Sequence, residues 1–145
     1  MKPFKFRVIN VVASASLGVK LNLSLVTEVF QNVKYMPRTF SGLVFKLENP
    51  KTTVLLFESG KLVCVGAKSE CEAEKAALRV AELLGTVRFK VKKPRVKVQS
   101  MVASADLGYR LDLISLCKRA KIPASRLIYE PDQFPEPFTG WKIRT

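Results

Sequence analysis

Histidine is absent from the 145 residues. That removes the commonest general base near neutral pH and the commonest nitrogen ligand for zinc, so Ser–His–Asp hydrolase chemistry and His-based zinc sites are excluded. Cysteine is scarce: Cys64, Cys71 and Cys117 are odd in number and scattered, which fits reduced intracellular thiols rather than a disulfide framework. No apolar run approaches the length needed to cross a bilayer. The opening Met1-Lys2-Pro3-Phe4-Lys5-Phe6-Arg7 is too short and too broken by charge to read as a secretory signal. Acidic residues are also few, 12 against 25 Lys+Arg, leaving +13 and a pI near 10.0. Such a surplus favours a polyanionic partner, and no long basic amphipathic helix supports a membrane surface instead. Glu28, Glu48 and Glu130 form no obvious carboxylate cluster; no metal, cofactor or catalytic constellation is indicated. The 48% hydrophobic content is enough for a core, in one domain or two small ones.

What the chain does have is a strong β signal. Residues 52–57 and 62–65 are β-rich runs around Glu58-Ser59-Gly60-Lys61, which predicts an antiparallel hairpin with a tight glycine-containing loop. Alternation puts Thr53, Leu55 and Phe57 on one face and Val54 and Leu56 on the other. Past the turn, Val63 and Val65 share a face, and Leu62 and Cys64 the opposite one. Neither face is polar, so both need a cover. On composition alone such strands are buried between two layers.

Around the hairpin the spacing predicts a strand over 6–12, with Asn10 and Val12 opposite Ile9 and Val11. A helix follows, capped by Asn22, with Leu23, Val26, Val29 and Phe30 on its apolar side and Tyr35-Met36-Pro37 as its stop. A strand over 43–47 and the turn Glu48-Asn49-Pro50 precede the hairpin. After it, Ser69 and Glu72 make a capping box for a helix. Its stripe is Ala73, Ala76, Ala77, Val80, Leu83 and Leu84, and Gly85 is placed to end it.

Then the pattern restarts. Val12-Ala13-Ser14-Ala15-Ser16-Leu17-Gly18 returns as Val102-Ala103-Ser104-Ala105-Asp106-Leu107-Gly108, and Leu21-Asn22-Leu23 as Leu111-Asp112-Leu113, both 107 − 17 = 90 residues on. Tyr35-Met36-Pro37 and Phe40 return as Tyr129-Glu130-Pro131 and Phe134, 134 − 40 = 94 residues on. An internal duplication is the economical reading, with copies over 1–90 and 91–145. The second is expected to be truncated, since a hairpin and closing helix are missing from it. Between them, residues 90–97 alternate cation and valine, which reads as a solvated connector entering a strand rather than a nuclear-import cluster.

These residues resemble the TATA-box-binding protein core. Phe57-Glu58-Ser59-Gly60-Lys61-Leu62-Val63-Cys64-Val65-Gly66-Ala67-Lys68-Ser69-Glu70 is that family's most specific signature. Pro50-Lys51-Thr52-Thr53, the paired Val-Ala-Ser-Ala segments and Tyr129-Glu130-Pro131-Asp132-Gln133-Phe134-Pro135 support it. The resemblance implies an α+β saddle: a curved antiparallel sheet with helices on its convex face and an incomplete second half. The concave face would lie in the DNA minor groove; kinking by wedged side chains is the mode for which this family is itself the type example.

Residue by residue, the resemblance makes Asn10 a base-contacting amide and Phe40 and Phe57 the kinking pair. Val12, Leu55 and Val63 match the groove floor; Lys46, Lys61 and Arg38 match phosphate contacts. In the second copy Ser100, Val102 and Phe134 take the equivalent places. Ser100 stands where a partner asparagine is usual, and Val65 replaces a usual threonine. The implied role is a transcription initiation factor, not an enzyme, that binds and bends A·T-rich double-stranded DNA. Its implied partners are the B-type initiation factor and the RNA polymerase machinery. Its place is with genomic DNA, in a eukaryotic nucleus or an archaeal cytoplasm and nucleoid. Two alternatives stand beside it: a nucleic-acid-binding accessory module of an enzyme, and a homodimer in which two chains complete one saddle.

Overall fold

The computed structural model describes residues 5–121, 127–128 and 142–143, in two compact units divided between Asp106 and Leu107. In the first unit, β1 (Phe6–Ser16), β2 (Val33–Tyr35), β3 (Leu43–Glu48), β4 (Lys51–Leu56), β5 (Lys61–Ala67) and β6 (Lys97–Ala105) form one sheet. Its order is β2-β3-β4-β5-β1-β6, antiparallel throughout. Helices α1 (Leu23–Val29) and α2 (Glu70–Thr86) complete the unit.

Directly paired residues in an antiparallel sheet point to the same side. Phe45, Val54, Cys64 and Ala13 pair in succession across β3, β4, β5 and β1, and all four are fully buried. Val54, Cys64 and Ala13 lie on the strands over which α2 packs, β4, β5 and β1, through Ala73, Ala76, Ala77, Val80, Ala81 and Leu84. Alanine at the centre of that stripe lets the helix backbone approach the sheet, close enough for the Cys64 thiol to donate to the Ala73 carbonyl at 3.6 Å. Burial pushes that thiol up to about 11, so it is an inert neutral group. Cys71 is exposed and free; the side chain of Cys117 lies outside the described residues.

The β4–β5 hairpin forms as expected. Gly60 N–H donates to Phe57 O and Phe57 N–H to Lys61 O, both at 2.9 Å. Gly60 has φ +81°, and a Cβ there would run into the Val19 carbonyl oxygen. Only glycine fits this turn.

Several local expectations are corrected. The first helix does not run to Pro37: it ends at Val29, and Phe30 turns into extended backbone to pack its ring on Phe45, centroids 5.4 Å apart. Val29 then faces solvent, 54% exposed, and the strand β2 pairs with β3 in the interval. β1 extends beyond Val12 to Ser16, because Ala13 to Ser16 pair with β5 despite their weak strand propensity. At the start of α2, Ser69 Oγ accepts from Glu72 N–H at 3.1 Å, but Glu72 Oε2 accepts from Lys68 N–H rather than from Ser69. Gly85 lies inside α2. The helix ends instead on Arg88, φ +68°, with Arg88 N–H donating to Gly85 O and Phe89 N–H to Leu84 O. That is a Schellman closure with arginine in the left-handed place usually held by glycine.

The β1–β6 pair carries the duplication in its register. Asn10 faces Val102 and Val12 faces Ser100; 10 + 90 = 100 and 12 + 90 = 102, so exchanging the copies maps the pair onto itself. The two register shifts obey the same rule, since they leave Ile9 and Gln99 as the extra residues and 9 + 90 = 99. β6, which opens the second sequence copy, thus lies in the first unit's sheet. In the second unit, Asp112 caps α3 (Leu113–Arg119), accepting from Ile114 and Ser115 N–H and from the Ser115 hydroxyl. The Ser115 hydroxyl, with the Ser115 and Ile114 amides, holds this carboxyl below its usual value. Strands β7 (Leu127–Ile128) and β8 (Lys142–Ile143) pair with each other.

Two substitutions test the turn assignments by urea unfolding. Gly60→Ala combines a left-handed φ with a backbone collision and is expected to cost about 2 kcal/mol or more. Arg88→Gly removes a left-handed penalty and is expected to stabilise by about 1 kcal/mol. Equal effects, or reversed signs, would contradict the backbone described.

Candidate nucleic-acid interface

The other face of the sheet is uncovered by α2. Val44, Leu55, Val63, Ser14 and Lys97 pair in succession across β3, β4, β5, β1 and β6. The first four are half-buried and Lys97 is exposed. A second row runs through Lys46, Thr53 and Val65. Asn10 and Val12 lie half-buried on the same side of β1, and their partners Val102 and Ser100 are exposed on β6. Val12, Leu55, Val63, Val65 and Val102 therefore form an apolar floor, interrupted by Asn10 and Ser100. A contiguous apolar surface of this kind marks a binding face.

At one end of the floor stand two aromatic rings. Phe57 starts the β4–β5 turn, Phe40 precedes β3, and their rings meet edge-to-face at 5.8 Å and 68°. Phe40 is 40% exposed. Gly42 makes room for both: a Cβ there would lie 2.6 Å from Phe40 Cε1 and 3.0 Å from Phe57 Cε1.

Asn10 is held in one orientation. Gly66 N–H, at the register shift between β1 and β5, donates to Asn10 Oδ1 at 2.9 Å. A donor must face the amide oxygen, so the Nδ2 group is the part left to bind elsewhere. The open face thus presents an oriented N–H donor in an apolar field.

Cations rim this floor. Lys46 and Lys61 are exposed on open-face strand positions. Lys97 pairs with Ser14, and Arg7, 97 − 90 = 7, pairs with Ser104 at the equivalent place. Glu48, paired with Lys51 at the β3–β4 tip, is the acidic residue on these positions of β3 and β4. Arg38 is exposed on the turn before Phe40 rather than on a strand. Phe134 lies outside the described residues.

Sequence reasoning missed Val44, Gly42, Lys97, Arg7 and Gln99 as members of this face. Val44 was available from simple alternation with Lys46. Lys97, Arg7 and Gln99 were not, because each lies at or beyond a bulge that reverses the parity. Gln99 Nε2 donates to Ser14 Oγ at 2.7 Å, which places its amide beside Ser100 on the open face. Among the described residues no helix is long and apolar enough to cross a membrane.

Residues 5–87 match the family described as transcription factor TFIID, or TATA-binding protein. The chain belongs to the TATA-box-binding protein family. It is 38% identical over 136 residues to the TATA-box-binding protein of Archaeoglobus fulgidus, covering 93% of this chain and 73% of that protein. Over 134 residues it is 41% identical to that of Methanococcus aeolicus, covering 90% and 70%. Among solved structures, Methanococcus jannaschii TBP superposes with a TM-score of 0.75 at 38% identity, covering 90% of this chain and 73% of that one. The α+β class with its antiparallel sheet is that of the family.

If Gly42 is what sets the aromatic pair, Gly42→Ala should keep the β3–β4 pairing, cost about 1 kcal/mol or less, and separate the two rings. Loss of cross-relaxation between Phe40 and Phe57 ring protons, with the amide pattern of β3 and β4 retained, is the expected NMR result. An unmoved ring pair would show that Gly42 has no such part.

Proposed function

We propose that this chain acts in transcription initiation by binding A·T-rich duplex DNA through the minor groove and bending it. The oriented amide of Asn10 within an uncovered apolar face is the observation that carries this reading. A·T pairs offer only acceptors in the minor groove, whereas G·C pairs add a donor. An Nδ2 donor therefore matches A·T and opposes the guanine amino group. The apolar floor loses little information there, because the minor groove has little more to read.

Phe40 and Phe57 serve as the wedge. Unstacking a base step costs roughly a few kcal/mol, and full burial of a phenylalanine side chain contributes roughly 1.5–3 kcal/mol. Two adjacent rings entering one step can therefore offset the unstacking, where one ring alone would fall short. Lys46 and Lys61, with Lys97, Arg7 and Arg38, supply phosphate contacts that position the duplex and make binding salt-dependent. Ser100, Val102 and Phe134 carry the second copy's share of the face, and Val65 adds apolar contact where a hydroxyl is usual.

The B-type initiation factor and RNA polymerase machinery are the partners that membership of the family supports, and genomic DNA in an archaeal cytoplasm and nucleoid is the corresponding location. A match to TATA-box-binding proteins over more than nine-tenths of the chain favours this over an enzyme's accessory module or a self-pairing scaffold.

Binding and bending assays on TATA and G·C-rich duplexes test the proposal. Phe57→Ala should reduce both affinity and bend angle. Asn10→Asp still accepts from Gly66 N–H but turns a carboxylate oxygen toward the groove acceptors, so about 1–3 kcal/mol of A·T preference should vanish. Equal affinity of the unaltered protein for both duplexes, or binding without a bend, would overturn the reading.

A further inference from the structure

The segment between α2 and β6 is unusual in its charge. Arg88, Lys90, Lys92, Lys93, Arg95 and Lys97 place six cations in ten residues with no acid among them. All six are exposed. The residues between them face the other way: Phe89, Val91, Val96 and, just beyond, Val98 pack on the core, and Pro94 is buried. The backbone is tied down as well, with Lys92 N–H donating to Leu17 O at 2.8 Å. This is a strap fixed to the domain on one side and uniformly cationic on the other.

Two observations separate it from an ordinary solvated surface. None of the six cations is ion-paired to a described residue; the ion pair drawn nearby is Arg79–Glu82 on α2. Holding so many like charges on a short, pinned segment destabilises the folded state by self-repulsion. Arg88 moreover occupies the left-handed helix-closing position, φ +68°, where glycine would be less strained. Both costs fall on the same segment; a bound polyanion would relieve the repulsion, while the backbone strain at Arg88 stays fixed by the helix closure.

We propose that this strap is a second phosphate-binding surface, which holds the backbone of duplex DNA flanking the tract bound by the open face. The inference rests on the minor-groove reading given above. Continuity favours a duplex over an acidic protein. Leu17, which anchors Lys92, also donates its N–H to Gly60 O in the turn that carries Phe57. Lys92 itself lies across Gly18, its Cδ 2.8 Å from where a Cβ would stand. At its far end the strap passes into Lys97 on the rim of the apolar floor. The cations thus run from that rim around the end of the sheet where the wedge sits, along the path a duplex leaving the wedge would meet.

The test compares a duplex of about 12 bp that holds only the A·T tract with one of about 40 bp holding the same tract at its centre, across a salt series. The unaltered protein should bind the longer duplex more tightly and with a steeper salt dependence. In the variant Lys90→Gln, Lys92→Gln, Lys93→Gln, Arg95→Gln, the slope on the longer duplex should fall by roughly 3 to 4 and the length advantage should disappear. Affinity for the short duplex and its bend should stay as they were, which also shows that the variant is folded. No length advantage in the unaltered protein, or an equal loss on both duplexes, overturns the proposal. Poly-glutamate competing for a site that is indifferent to duplex length would overturn it in favour of an acidic protein partner. If the short duplex itself is neither bound nor bent, the minor-groove reading has failed, and that outcome is distinct from failure of the strap.

Discussion

The antiparallel ladder sorts this protein into two surfaces. Because side chains alternate with period two, each strand sends every second residue to the covered side, where α2 packs over β1, β4 and β5, and the rest to the open side. Along β4 and β5 this leaves Val54, Leu56, Leu62 and Cys64 fully buried, while Thr53, Leu55, Val63 and Val65 stay half-buried. A slip of one residue would exchange the two sets. The hairpin turn at Gly60 and the burial of Phe45, Val54, Cys64 and Ala13 on the covered side are what prevent it. Whatever the open face does, it does because the covered face is fixed.

Strict alternation has a limit, and the limit is where the polar groups are. The extra residues Ile9 and Gln99 in the β1–β6 pair, and the shift near Gly66 in the β1–β5 pair, break the period along β1, next to the edge strand β6. A bulge leaves a backbone group unpaired in the ladder. At Gly66 that group is the N–H which then fixes Asn10. The irregularity therefore orients the Asn10 amide on the floor, as a regular ladder could not.

This explains which parts of the protein were legible in the residues. The hairpin, the face assignment of its side chains and the capped helix follow from short-range patterns and were read correctly. The early end of α1 was not, because the Phe30–Phe45 contact that ends it joins residues distant in sequence. Nor was the Schellman closure on Arg88, since local propensity points to Gly85. For the site, Asn10, Val12, Leu55, Phe57 and Val63 were placed on one face by alternation within single strands. Lys97, Arg7 and Gln99 required the pairing register, a tertiary fact. Gly42 has a signal only once the two rings it accommodates are known to meet.

The composition of the open face also bears on how selective it can be. Phosphate contacts of the kind proposed for the cationic rim contribute affinity but no sequence information. Of the floor residues, Val12, Leu55, Val63, Val65 and Val102 have no polar side-chain atom, so under the minor-groove proposal the Asn10 amide would be the main base-reading donor of the first copy. Its equivalent in the second copy is Ser100, a shorter group with a hydroxyl that both donates and accepts. A hydroxyl accommodates the guanine amino group as readily as an adenine or thymine acceptor, so on that proposal the two halves of the β1–β6 pair would read the groove unequally. Discrimination in the second half would then come from the ease of deforming the duplex rather than from contacts to its bases, since flexible steps accept a kink at lower cost. On the minor-groove proposal, a face built this way would select a bendable A·T-rich tract and give it a direction, with the Asn10 half over the more strictly defined base pairs.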